Sequence, residues 1–476
     1  VSRAPRRASS DPLFGALLFA GALSLRLWVA LGWAGEPVWD GHYYDFGARR
    51  IAEGHGYSDD LTIAGQLVWH PWCHYPVGYS AFLAAFYRVL GPSHSVAAVA
   101  NALTGAALAV ATWALASHGL SRGRARVAGL LVALHPGMVL EAALVMSEPL
   151  AALLVVVAFW LAVRDARPWR GVVLGALALG VGALVRPQAL LCAPFLALVL
   201  SGWKARAQAA LLACVLAVVV VLPWTARNCR VMDGCALVST NAGWNLAIGA
   251  FPRATGRFET LHSSDGCREV TGQVQQDRCW LHYGVEQIAA RPWRWLSLVP
   301  AKLGYTFDHE SFAVEYLHEA RPEALPEARR VYARGVTTAA HRLLLAASAL
   351  GAIAFPLSRR RGAAAVQSAA LLAAGLLVGI AVSDDGSPYW PLALFAAVLP
   401  WLPLSGRPPS PPGLLMGAAL LATTAATHAV FFGEDRYHLV VTPVLALMAA
   451  AALRSTSSPG FTPPAWLRRT RRPAAR

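Results

Sequence analysis

The sequence predicts an all-α polytopic membrane protein of about twelve transmembrane helices, with interfacial helices and one mixed extracytoplasmic loop region. Three observations carry that expectation. The 476 residues are 56% hydrophobic and only 14% charged, too apolar for a soluble domain of ordinary make-up. Apolar runs recur with lengths close to the roughly 20 residues that a helix needs to cross the hydrocarbon core. Basic residues also alternate between the links joining those runs. The net charge of +15 would point to nucleic acid if it formed one face. Here it is divided by link, so no nucleic-acid partner is expected.

The runs fall near 13–33, 93–116, 126–142, 148–163, 171–185, 187–201, 208–224, 336–356, 363–382, 389–404, 413–432 and 438–453. No small-residue cleavage site follows the first, so it reads as a retained helix. With both termini cytoplasmic, the inner segments hold 21 basic and two acidic residues, and the remainder holds 20 and 24. The excess positive charge lies inside, as the positive-inside rule requires. Among the inner groups are Arg359, Arg360, Arg361 and Arg407. The expected organisation is a cytoplasmic segment 1–12, a membrane domain 13–453 with outer loops 34–92 and 225–335, and a basic cytoplasmic tail 454–476. The expected location is a bacterial inner membrane with its active site on the extracytoplasmic side.

Within the first outer loop, Val77 to Leu90 is apolar but short and ends at Gly91-Pro92, so it is expected to lie in the outer interface. The second outer loop combines an irregular part, Asn228 to Gly266, with a helical pattern from about Tyr283 to Tyr305. Cys229–Cys235 and Cys267–Cys279 are candidate local disulfides on the oxidising side, leaving Cys73 over. Outer links at Ser383–Gly386 and Gly433–His438 are rich in polar and ionisable groups.

The chain has no Walker loop, dinucleotide turn, HExxH or GxSxG, and no inner loop large enough for a nucleotide-binding domain. An enzyme of this kind needs a substrate already activated at the outer face, and a polyprenyl-phosphate sugar is one. Its phosphate leaves without a general acid, so one carboxylate to take the acceptor's proton is sufficient, with cations for the departing phosphate. Hydrolysis of a glycoside would normally need a carboxyl pair. Asp40 follows the first span directly and is the candidate base; capping the helix Gly41 to Glu53 is its structural alternative. Arg186, Arg227, Lys302 and Arg436, at or beside outer span ends, are the candidate phosphate cations. Arg26 is a charge within the first span, facing either a polar cavity or snorkelling outward. Glu148, His70 and His74 are candidate ligands for a divalent metal, although no fixed spacing supports the set; no other cofactor is expected.

Asp40 with Tyr44, Ala48, Ala52 and Gly54-His55-Gly56-Tyr57 resembles the first outer loop of GT-C-fold glycosyltransferases. The chain is most similar there to bacterial relatives of dolichyl-phosphate-mannose protein mannosyltransferases and of lipid A aminoarabinose transferases. Arg26, Tyr75 to Tyr79, Ser147-Glu148, Arg186-Pro187, the run from Ala226 to Phe258 and Arg436-Tyr437 extend the resemblance over about residues 20 to 450. It implies an inverting transfer with Asp40 in the catalytic position. It also implies donor or acceptor contacts at His74-Tyr75-Pro76, from Asn241 to Asn245, and near Tyr44 and Tyr437. Two departures stand out: Gly41 replaces a second acidic residue, and HYPVGY replaces a double-proline segment. The implied partners are a polyprenyl-phosphate sugar, an acceptor lipid, glycan or protein, and membrane lipids. Two other readings remain open: an O-antigen ligase or polymerase-like transferase, and a lipid or solute transporter, which would favour repeated halves and midplane polar groups.

Overall fold

The computed structural model describes residues 11–353, 388–402 and 410–453. The expected span 363–382, the Ser383–Gly386 link, Arg359 to Arg361, Arg407, nearly all of the cytoplasmic segment 1–12 and the basic tail lie outside these residues. The architecture is helical and multi-pass. Helix α1 is Pro12–Trp33, α2 Asp40–Ala52, α3 Val77–Leu90, α4 His94–Ala116, α5 Arg122–Leu134, α6 Pro136–Leu140, α7 Glu148–Arg164 and α8 Pro168–Val185. A 3-10 helix, Pro187–Val199, leads to α9 Trp203–Val231, α10 Ala242–Ala250, α11 Gln273–Ala290, α12 Pro292–Ser297 and α13 Val299–Phe307. Then come α14 Phe312–Ala320, α15 Glu327–Ile353, α16 Trp390–Val398, α17 Pro412–Val430 and α18 Thr442–Ala452.

Among the described residues five helices are long and apolar enough to cross a membrane, or six if α5 and the segment Pro136–Ala143 form one span bent by 57°. The twelve expected spans are therefore not all straight α-helices of full length. The bend has a local cause: Pro136 lacks an amide hydrogen and disfavours helical geometry at His135, which is extended. The carbonyls thereby freed at Val132 and Ala133 are each met at 2.9 Å by the guanidinium of Arg26. An unmet carbonyl at membrane depth costs several kcal/mol, and a cation at a helix C-terminus also complements its dipole. Arg26 neither snorkels nor lines the outer pocket. It clamps the broken helix.

The core is built from small residues. Ala106, Ala109, Ala125, Ala128, Ala158, Ala176, Ala213 and Ala217 are fully buried, which lets neighbouring backbones approach closely. Helix α7 packs on α8, α8 on α9, α1 on α4 and α15 on α18.

The loop 34–92 contains a hairpin that the sequence pattern does not predict. Strands β1 (Ser58–Ile63) and β2 (Gln66–Pro71) pair antiparallel. The two-residue turn between them has positive φ at both Ala64 and Gly65, the twist that tight hairpins favour. In the loop 225–335 α9 continues to Val231, seven residues past the expected end, and α10 occupies part of the expected irregular stretch. The helical pattern predicted from Tyr283 to Tyr305 is not one helix, because Pro292 and Pro300 divide it into α11, α12 and α13. Both candidate disulfides are formed, and Cys73 is free and buried.

Candidate active site

Asp40 opens α2 but does not cap it. The N-cap is Trp39, held at φ 50° with no side-chain cap bond. A non-glycine residue in that region carries roughly 1–3 kcal/mol of strain, and the Trp39 ring is held by a tilted contact with Phe312 and an edge-on contact with Tyr316. Freed from capping, the Asp40 carboxylate accepts hydrogen bonds from the Tyr75 hydroxyl and from Arg436 Nη1, both at 2.7 Å. Burial opposes its ionisation, but the Arg436 charge and the Tyr75 hydroxyl outweigh burial, so its pKa lies below the usual carboxylate value.

The neighbouring Gly41 explains one departure noted in the sequence. A Cβ there would meet the Tyr316 hydroxyl at 2.2 Å and the Val145 carbonyl at 3.0 Å. A second acidic side chain has no room. The site has one carboxylate at this position because α14 packs against the start of α2.

Around Asp40 lies a cavity of about 470 Å³, lined by Tyr44, His74, Tyr75, Arg186, Asn241, Asn245, Arg436 and Tyr437. Nine of the residues singled out from sequence, Asp40 included, therefore share one cavity. They arrive from five places in the chain: Asp40 and Tyr44 from α2, His74 and Tyr75 from the link after β2, Arg186 from the end of α8, Asn241 and Asn245 from the N-cap and first turns of α10, and Arg436 and Tyr437 from the link before α18.

Two arginines meet carboxylates at the cavity wall. Arg186 pairs with the buried Glu148 at 2.6 Å and donates to the Ser147 hydroxyl at 3.2 Å. Arg436 lies 2.5 Å from Glu434 and 3.7 Å from Glu148. Both guanidiniums lie over the Tyr437 ring, at 5.3 and 5.2 Å from its centroid. Burial pushes the Glu434 carboxyl up to about 7, against the pull of Arg436. The His74 imidazole is pushed down by burial, which outweighs the attraction of Asp40. The cavity is also lined by the apolar side chains of Leu237, Val238, Ile248, Phe258, Phe431 and Phe432. The first turn of α10 does not offer its amides to the cavity, because Gly243 and Trp244 N–H already donate to Asp277.

Other predicted site residues lie elsewhere. Arg227 donates to the carbonyls of Trp72 and Tyr57 at 3.0 and 2.6 Å, tying the first outer loop to the end of α9. Lys302 donates to Val430 O at 3.1 Å and covers the C-terminus of α17. Neither lines the cavity, since each is engaged by backbone carbonyls. Glu148, His70 and His74 do not form a metal-ligand group. Glu148 is committed to Arg186, the His70 ring bonds the Pro71 carbonyl beside it, and the His74 ring packs edge-on against Tyr75 and Trp244.

Sequence reasoning did not single out Gln188 or His428, which also line the cavity, and covered Trp244 only within the Asn241 to Asn245 segment. It flagged Glu434 only as part of a polar link. Gln188 follows directly on Arg186-Pro187, and Trp244 lies between the two asparagines, so adjacency offered a signal for both. His428 is inside an apolar run and gave none.

No family model matches the sequence, and no curated protein is similar to it. Solved structures similar in fold include the Archaeoglobus fulgidus oligosaccharyltransferase tethered with an acceptor peptide, with TM-score 0.46, 12% identity, and 93% of this chain and 49% of that chain covered. Another is the oligosaccharyltransferase AglB from the same organism in complex with an inhibitory peptide and a dolichol-phosphate, with TM-score 0.45, 12% identity, and 93% and 50% covered. A third is ArnT from Cupriavidus metallidurans bound to undecaprenyl phosphate, with TM-score 0.38, 14% identity, and 91% and 78% covered. The chain spans about half the length of the oligosaccharyltransferase it matches. At these identities and scores the likeness does not say what this chain does. The cavity's own chemistry carries the functional reading.

Proposed function

We propose that this chain is a membrane glycosyltransferase of GT-C-like fold. It transfers a sugar from a polyprenyl-phosphate donor to an acceptor hydroxyl at the extracytoplasmic face, with inversion. The observation that carries the reading is the cavity's make-up: Asp40 is the carboxylate that lines it, with two arginines, one of them paired with Asp40, and a set of apolar side chains. The acceptor oxygen attacks the anomeric carbon as the bond from that carbon to phosphate oxygen breaks. The acceptor's proton passes to Asp40, and polyprenyl phosphate leaves with the bonding electrons. A single displacement of this kind inverts the anomeric centre. Arg186 and Arg436 receive the developing phosphate charge, which a low-dielectric site makes more valuable than it would be in water. The apolar side chains are suited to the first isoprene units of the carrier.

Asp40's lowered pKa fits this role only if something relieves its pairing with Arg436. The donor phosphate does so by engaging Arg436 and adding negative charge beside Asp40. The base is thus strengthened when donor is bound. Asp40→Asn in proteoliposomes supplied with a polyprenyl-phosphate sugar should lose transfer by about 10²-fold or more, with unchanged membrane insertion and gel-filtration profile. Transfer at the wild-type rate in that variant would overturn the assignment.

A further inference from the structure

Away from the cavity, four elements bring their side chains to one buried carboxylate. Glu310, between α13 and α14, is almost fully buried, and its described ion-pair partners are all histidines. Its Oε2 lies 2.8 Å from His438 Nε2 and 3.8 Å from His341 Nδ1, and its Oε1 lies 3.7 Å from His135 Nδ1. The ligand-capable atoms of Glu310, His341 and His438 all fall within 4.8 Å of one another.

The hydrogen bonds on the far side of each ring assign the protons. His341 Nε2 is 2.8 Å from the Phe307 carbonyl, and His438 Nδ1 is 2.7 Å from the Thr306 carbonyl. A carbonyl only accepts, so each of those nitrogens carries its hydrogen, and the other nitrogen of each ring is turned toward Glu310, His438 Nε2 within hydrogen-bonding distance of Oε2. Backbone carbonyls fix metal-ligating imidazoles in this same way. His341 Nδ1, Glu310 Oε1 and both nitrogens of His135 have no hydrogen-bond partner, and each buried orphan of this kind is costly. The His341 and His438 rings are stacked with centroids 3.8 Å apart, which sets their nitrogens on one side of the carboxylate. The chain also leaves room for the carboxylate: a Cβ on Gly137 would meet Glu310 Oε1 at 1.7 Å.

We infer that Glu310, His341 and His438 form a buried binding site for one divalent transition-metal ion, zinc by its donor set, with His135 beside the other carboxylate oxygen. Two imidazoles and one carboxylate suit that ion. Ligand atoms about a tetrahedral zinc are roughly 3.3 Å apart, and the separations of 2.8 to 3.8 Å bracket that value. The ion joins the link before α14, helix α15 and the turn at His438. That turn begins one residue after Arg436, so the ion anchors the segment that reaches Asp40.

The test uses the full chain, expressed with added zinc, purified in detergent and passed through metal-free buffer before elemental analysis. About one zinc per chain should remain, and Glu310→Gln and His341→Gln should each retain less than about a tenth of it. Independently of any variant, wild-type protein stripped by chelator and refilled with Co²⁺ should show the intense visible bands of tetrahedral cobalt. Wild-type protein that emerges without stoichiometric metal and takes up no tetrahedral cobalt would overturn the inference. So would folded variants that keep their zinc.

Discussion

Arg436 has three carboxylates within reach, Asp40 at 2.7 Å, Glu434 at 2.5 Å and Glu148 at 3.7 Å. Their competition sets the pH behaviour. Glu434 has its pKa raised to about 7 by burial, so it is neutral below that pH and ionised above it. Once ionised, it competes with a donor phosphate for Arg436. Donor KM should therefore rise by about threefold or more between roughly pH 6 and pH 8, and Glu434→Gln should flatten that rise. Asp40 behaves in the opposite sense. Its pKa is depressed in the free enzyme, so the acid limb of kcat/KM lies below the ordinary aspartate value of about 3.9. In the donor complex the phosphate holds Arg436, so the acid limb of kcat should lie at higher pH than that of kcat/KM. Coincident limbs would show that donor binding leaves Asp40 unchanged. The candidacy of Asp40 was legible from its place after the first span. Its pairing was not, because Arg436 is 396 residues away and only the packing of α14 and the link before α18 brings them together.

Three cations that look functional in sequence are engaged by backbone carbonyls in space. Arg227 joins β1 and β2's surroundings to α9 through two carbonyls. Arg227→Ala should lower stability by about 1–3 kcal/mol, read as a fall in the detergent unfolding midpoint, and leave donor KM within about twofold. A large rise in donor KM with an unchanged midpoint would restore Arg227 to the phosphate site. The same reversal applies to Arg26 and Lys302, and for one reason: a cation at a span end meets either substrate or unpaired helix carbonyls, and sequence does not say which. The hairpin was missed for a different reason. Its strands alternate too weakly, as SDDLTI and QLVWHP, for period-two patterning to stand out. The disulfides were legible because their cysteines are only 6 and 12 residues apart.

At the scale of the molecule, hydropathy and charge alternation made the helical, multi-pass architecture legible, and they also commit to an orientation. A cysteine at Arg257, which is exposed in the second outer loop, should react with a membrane-impermeant maleimide on intact cells. One at the exposed Arg167 should react only after permeabilisation; the reverse pattern would invert the topology and place the cavity inside. What hydropathy did not convey is how some spans achieve their length. The segment Pro187–Val199 is wound as a 3-10 helix with Pro194 inside it. At about 2.0 Å per residue its thirteen residues reach about 26 Å, against about 20 Å for an α-helix of equal length. That approaches the roughly 30 Å hydrocarbon thickness, so this segment can serve as a full rung of the bundle with two-thirds of the usual residues. A drawn-out rung has no slack to give: lengthening the chain there would let it rewind and shorten, pulling Arg186 away from the cavity at its upper end.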